Sequence, residues 1–332
     1  MTLSGLRETL FSRARIPPAN TEVAKRINIA VNMYNFQWTF PEMVANELGL
    51  FEKHGLVANW LDVTPDGIAD KAALYTQLLS SGKTDIYHAG EWVCILRVLG
   101  SLGARIVAKS PPSPGTMNAT FSLWVRRDSG YSSPAKLKGK PIAIELGTGS
   151  YYTTVQDLER FMPRGSAKLI AVGEPHKRFL ALINEEVEAA SLLSPWADFG
   201  KAASLKQILK TTRSNPTTIV AREDDDADKL RRFFAATNEA IDAIDERPDE
   251  FRALYFKKVE RALREMPARV KKLGPGVKKT LKVPPWNRWA AYQKRDFDKT
   301  YAWMLERGLA PSGHTSGEVV AANSREIFSQ RR

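Results

Sequence analysis

The 332-residue chain is longer than one ordinary core requires and comfortable for two, since domains usually run about 100 to 150 residues. A hydrophobic share of 43% with 26% charged residues marks a soluble globular chain, because no run approaches the roughly 20 apolar residues of a membrane span, and membrane insertion is not expected. The lone Cys94 excludes an internal disulfide framework and a Cys-based zinc cluster, while the net charge of +12 suits an anionic partner.

The basic residues are scattered in small clusters such as Lys257 with Lys258, Lys271 with Lys272 and Lys278 with Lys279. No aromatic-interleaved RNA motif accompanies them, so they read as solvated faces and nucleic acid is not expected as a partner. Residues 1–26 form an N-terminal extension in which Leu3, Leu6, Leu10 and Phe11 have weak helical spacing among arginines. It has no unbroken apolar stretch of the kind a secretory signal needs. The chain as it stands therefore reads as cytoplasmic, or as periplasmic if a leader was removed.

Residues 27–31 have the pattern of a short buried strand, followed by a polar and aromatic turn over 32–40. Pro41 then opens a helix, its missing N–H costing nothing in the first turn. A strand at 58–63, a helix at 68–79 and a strand at 85–87 complete β-α-β-α-β order, which predicts a parallel sheet with helices on its faces. A helix at 92–99 and a strand at 105–108 follow, and Pro111, Pro112, Pro114 and Gly115 mark an approach to a hinge. A second α/β unit repeats the outline: strands at 121–125, 141–144, 169–172 and 189–193, with helices at 151–161 and 177–183. Strands at 208–211 and 217–221 return across the molecule. The remainder predicts a helical tail, at 226–247, 250–264 and 285–307, packed on the first unit, with 269–282 as a basic surface loop or helix.

Ala45-Asn46-Glu47-Leu48-Gly49-Leu50-Phe51-Glu52-Lys53-His54-Gly55-Leu56 resembles a segment of the sulfonate, nitrate and taurine binding proteins and of thiamine-pyrimidine-synthase-like proteins. Leu79 to Ile86, Val125 to Gly130 with Leu137 to Ala143, and Arg247 to Phe251 are similar to further stretches of that family in the same order. The resemblance implies an α/β fold of the type II periplasmic-binding-protein kind: a clamshell of parallel-sheet lobes flanked by helices, with a helical C-terminal tail. Lobe I is expected from 27–115 and 216–332, lobe II from 116–215. It also implies hinge closure on a small organic ligand, with an ABC permease as a further partner.

In open parallel sheets, ligands sit outside the carboxyl ends of the strands. Here those ends are the loops 32–40, 88–92, 147–152 and 194–196. The first offers Asn35, Gln37, Trp38 and Phe40, with Tyr34 and Phe36 beside them, as an aromatic wall against the alternative of core packing. The second offers His88, Glu91 and Trp92; Glu91 either contacts ligand or caps the helix that follows. In the third, Gly147 precedes Thr148, Gly149, Ser150 and Tyr151, where free N–H groups at a helix start make an anion seat or an ordinary cap. The fourth offers Trp196, while Glu174 and His176 are weaker candidates. Cys94, between Val93 and Ile95, reads as a small core hydrophobe.

Positive charge and a helix start favour an anion, and aromatic loops favour a ring or alkyl chain. The expected role is therefore binding a sulfonate or an aromatic or alkyl carboxylate for an ABC importer, with no cofactor, no metal and no catalytic residue. A cytosolic enzyme or sensor acting on a small aromatic substrate, of decarboxylase, desulfinase or pyrimidine-synthase-like type, stands as the alternative. Ala89 and Val93 replace the lysine and histidine of the pyrimidine synthases, and the chain has no cysteine cluster, which argues against that particular enzyme.

Overall fold

The computed structural model describes residues 24–64, 71–113, 115–117, 121–146, 148–211 and 216–329. The expected N-terminal helix, Pro114, Gly147 and the start of the helix expected at 68–79 lie outside those residues. Lys25 and Arg26, assigned to the extension from sequence, belong instead to the first strand, β1 (Lys25–Val31), which buries Ile27, Ile29 and Val31. Lys25 is held there by Asp226 at 2.8 Å and Asp228 at 2.9 Å.

β1 lies between β2 (Leu56–Asp62) and β3 (Ile86–Gly90) and runs parallel to both. Helix Phe40–Glu47, with Pro41 in its first turn, and helix Lys71–Ser80 make the crossovers. β4 (Ala104–Ser110), β10 (Thr217–Arg222) and the short β11 (Ala290–Ala291) complete a six-stranded sheet in the order β11-β4-β10-β3-β1-β2. The second sheet has five strands: β5 (Ser122–Val125), β6 (Pro141–Ile144), β7 (Lys168–Ala171), β8 (Ala189–Leu192) and β9 (Lys206–Lys210), in the order β7-β6-β8-β5-β9. The two sheets share one plan, a parallel trio (β2-β1-β3 and β7-β6-β8) with an antiparallel strand added beside its third member.

The sheets are thus mixed rather than wholly parallel. The reason lies in chain routing. A parallel trio ends at the cleft, so a strand delivered directly from the other lobe starts at that end and must run back. Thr217 accordingly pairs with Gly90 at the end of β3, and Ser122 pairs with Leu192 at the end of β8. The two crossings, β4 to β5 and β9 to β10, bring the C-terminal ends of both trios to a common cleft.

Helix Ala227–Glu246 starts at Asp226, whose side chain accepts from Asp228 N at 2.9 Å and Lys229 N at 3.3 Å. It buries Leu230, Phe233, Thr237, Ile241 and Ile244, a helical stripe laid on helix Phe40–Glu47. The single helix expected over 285–307 begins only at Lys294. Residues 285–291 are not helical because tertiary bonds there outweigh helix formation: Met117 N donates to Pro285 O at 2.8 Å and Trp289 N to Asn238 Oδ1 at 2.7 Å. Trp286 and Trp289 are buried by the same segment. The tail also touches both lobes rather than the first alone, since Arg307 binds Glu159 at 2.8 Å and Arg164 binds Glu306 at 2.9 Å.

Candidate functional site: the cleft between the lobes

Among the described residues, aromatic contacts cross from one lobe to the other at three places. Trp38 meets Phe121 with ring centroids 6.0 Å apart, Tyr34 meets His176 at 4.6 Å, and Trp92 meets Tyr152 at 4.9 Å, with Trp303 of the tail against the last pair. The first two start from the 3-10 segment Met33–Trp38, whose entry is fixed by Asn32 Oδ1 accepting from Tyr34 N at 2.9 Å. Short helical turns place successive side chains around the axis. Tyr34, Phe36 and Gln37 therefore point inward, while Asn35 and Trp38 stay half-buried at the cleft edge.

Gln37 is a residue whose chemistry the fold leaves incomplete at both ends of its amide. Its side chain is 1% exposed and its backbone carbonyl accepts from Trp286 Nε1 at 3.3 Å. Neither amide atom, Nε2 nor Oε1, has a hydrogen-bond partner. Burying such a group unpaired costs about 1 to 3 kcal/mol, and native proteins keep the exceptions at functional sites.

Behind it, Glu42 in the first turn of helix Phe40–Glu47 meets His88 Nε2 at 3.1 Å, both side chains being almost fully buried. The helix N-terminus favours the carboxylate. Glu42 Oε2 and His88 Nδ1 carry no further bond, and the His88 ring lies 5.6 Å from Trp289.

In lobe II the loop after β6 leads into helix Gly149–Leu158. Thr148 does not cap it: Thr148 Oγ1 donates to Glu145 O at 2.7 Å, and Ser150 Oγ accepts from Glu145 N at 3.0 Å. The two hydroxyls shape the loop and leave the first-turn N–H groups uncapped by a side chain, so the helix start keeps its positive potential. Under the loop sits Arg178, 1% exposed, a residue that sequence reasoning missed. Its Nε donates to Ser191 O at 2.7 Å and its Nη1 to Gly173 O at 2.6 Å, with Glu145 at 3.5 Å. Burial lowers the guanidinium to about 10, opposed by Glu145, so the group still carries its charge at neutral pH. Only the hydrophilic residue in an otherwise apolar helix face, Arg178 among Phe179 and Leu182, hinted at it.

Trp38 and Trp92 stand at the surface where the lobes meet, and the turn of Thr148, Gly149, Ser150 and Tyr151 opens the helix that brings Tyr152 to Trp92, while in the Trp38 segment Gln37 is buried and Asn35 half-buried. Four candidates sit behind that surface. Phe40 is fully buried against Tyr255 at 4.8 Å and Trp286 at 5.5 Å. Trp196 turns into lobe II, stacked on Phe199 at 4.9 Å. His88 is engaged by Glu42. Glu91 accepts from Tyr292 Oη at 2.9 Å and Thr300 Oγ1 at 2.7 Å, tying the tail to lobe I. Burial raises its carboxyl to about 7, against the lowering effect of those two hydroxyls. Cys94 is buried, and burial raises its thiol to about 11, which suits a packing role. No group of three or more His, Cys, Asp or Glu residues suited to a metal ion occurs among the described residues, and no described helix is long and apolar enough to cross a membrane.

No family model matches the chain, and no curated protein does. Solved structures match it over most of its length. The periplasmic aliphatic sulphonate binding protein SsuA from Escherichia coli superposes with a TM-score of 0.66 at 15% identity, covering 90% of this chain and 92% of that one. The alkanesulfonate-binding protein SsuA from Xanthomonas axonopodis pv. citri, bound to MOPS, gives 0.64 at 15% identity over 92% and 99%. A Candida albicans gene product described as having the generic periplasmic binding protein fold gives 0.56 at 16% over 88% and 92%. The two-lobed α/β fold of this chain is that of the periplasmic binding proteins.

Proposed function

We propose that the chain is a solute-binding protein whose lobes, residues 27–115 with 216–332 and residues 116–215, close on a small organic anion for delivery to an ABC importer. The observation that carries this reading is the buried, unpartnered amide of Gln37 beside the Trp38 to Phe121 contact. An amide supplies both a donor and an acceptor, which suits a polar head group seated between lobes. The uncapped start of helix Gly149–Leu158, with Arg178 buried beneath it, supplies positive potential from the other side. Trp38, Trp92 and Tyr151 supply apolar walls for a ring or alkyl chain, and Asn35 a polar rim.

A sulfonate or an aromatic or alkyl carboxylate meets all three demands. The sulphonate- and alkanesulfonate-binding proteins that share the fold point the same way. Such a role places the chain beside a membrane permease, outside the cytoplasm. A thermal-shift panel of alkanesulfonates, aromatic acids, alkyl carboxylates and neutral pyrimidines tests it. A ligand that binds the native state raises Tm with concentration. The reading requires at least one anion to do so and falls if none does, or if only the neutral compounds do.

A further inference from the structure

Residues 252–282 carry eleven Lys and Arg residues against two acids, Glu260 and Glu265. This stretch therefore holds nine of the twelve net positive charges, and the remaining 38 basic and 35 acidic residues nearly balance. It folds as three consecutive helices, Arg252–Glu265, Ala268–Lys271 and Gly274–Thr280, with the first packed on the other two. The apolar positions Tyr255, Val259, Leu263, Val270 and Val277 go inward. That periodicity leaves Lys257, Lys271, Lys272, Lys278, Lys279 and Lys282 on the outside. Clusters that look modest and separate in sequence thus lie on one small helical unit.

Ordinary surfaces intersperse both signs of charge. Here, among the described residues, only Arg252 and Arg261 of the eleven have a carboxylate within ion-pair distance, Asp249 and Asp62, while Glu47 acts on Lys258 from further away. Crowding is felt locally: burial, and then the charge of Lys257, lowers the amine of Lys258 below its usual range. The large exposed apolar side chains of the described residues, such as Leu102, Leu146 and Phe161, all lie elsewhere. The patch therefore offers charge without a ring for base stacking and without an apolar wedge.

We propose that the helices of residues 252–282 form a surface that adsorbs the protein to an anionic phospholipid bilayer. Lipid phosphates move laterally and can match a lysine array that has no fixed pattern, and each Lys near such a surface multiplies binding about fivefold. Adsorption of this kind is purely electrostatic, so it weakens with salt. The exposed lysines are not among the residues placed at the cleft, although Arg261 and Glu265 of the same helix meet Tyr34 at its edge, and adsorption does not depend on which solute the cleft takes.

Co-sedimentation of the full chain with vesicles of phosphatidylcholine alone, or of phosphatidylcholine with phosphatidylglycerol, is the test. Binding is expected only to the anionic vesicles and is lost at high salt. Replacing Lys271, Lys272, Lys278 and Lys279 together by Glu is expected to weaken it at least ~100-fold, with the melting temperature retained. Equal binding to neutral vesicles, insensitivity to salt, or full binding by the four-site variant would overturn the proposal. So would tighter binding to duplex DNA than to the anionic vesicles at equal phosphate concentration. If the four-site variant melts early, Lys257→Glu and Lys282→Glu, separately, must each still lower binding several-fold.

Discussion

Trp38 and Phe121 meet at 6.0 Å although one leaves the 3-10 turn of lobe I and the other enters the first strand of lobe II. On the proposed closure, a contact between such segments forms as the lobes close and is lost as they part. Aromatic pairs add about 1 kcal/mol beyond burial. Trp38→Ala and Phe121→Ala should each weaken ligand binding, and the double variant by about 1 kcal/mol less than their sum. A double-mutant cycle by calorimetry measures this. Strict additivity would mean that the rings do not couple closure to binding.

Gln37 sets stability against function. Replacing it with Leu removes two buried amide atoms that have no partner, so the ligand-free protein should melt higher, by roughly 1 kcal/mol of stability. The same change removes the polar contact offered to the ligand and should cost at least about tenfold in affinity. Scanning calorimetry with and without the best anion reads both. A variant that is less stable and binds normally would assign Gln37 to packing.

The motifs that carry the family resemblance govern folding more than binding. Gly49 has φ of 68° between helix Phe40–Glu47 and helix Leu50–Lys53, a left-handed conformation that suits glycine, and Phe51 just beyond it stacks on Phe233 at 5.8 Å. Local propensity and hydrophobic spacing make those elements readable. The site is harder. Periodicity places a residue at a strand end but does not show which way its side chain turns. Loop position alone thus groups Phe40 and Trp196 with Trp38, though they turn into the cores. Arg178 escapes because its partners are backbone carbonyls at positions 173 and 191, which no side-chain pattern reveals.

Asp85, from the Gly-x-x-Asp approach to β3, shows what such a motif does physically. Its carboxylate accepts from Asn28 N at 2.6 Å and from Lys229 Nζ at 2.9 Å, with Arg222 at 3.4 Å, joining β1, β3 and helix Ala227–Glu246. Burial alone would raise its pKa, but the Lys229 and Asn28 bonds outweigh it and the value is lowered. An acid held below its unfolded value contributes stability above that unfolded value, near pH 4, which is lost as pH falls through the folded value. Asp85→Ala should cost about 1 to 3 kcal/mol, since it removes the acceptor of Asn28 N and leaves Lys229 with Asp225 alone at 3.1 Å. It should also flatten the acid limb of the stability curve. Urea titrations between pH 3 and 7 give both numbers, and an unchanged acid limb would discharge Asp85 from the role.

Glu91 carries the opposite sign. Burial raises its carboxyl from the ordinary value to about 7, so the folded state keeps a proton that the unfolded chain releases near 4.5. Between those two values the native state binds more protons, and stability must fall as pH rises, by roughly 1.4 kcal/mol for each pH unit crossed. Above about 7 the loss is complete and the buried anion is held by Tyr292 and Thr300. Glu91→Gln keeps a neutral group of the same shape. The variant should therefore lack this decline and gain on the wild type by about 2 to 3 kcal/mol from pH 5 to pH 8. Because Trp92, the next residue, packs on Tyr152 of the other lobe, ligand affinity of the wild type should fall over the same interval, while that of Glu91→Gln stays level. Parallel stability curves for the two proteins would place the titration elsewhere.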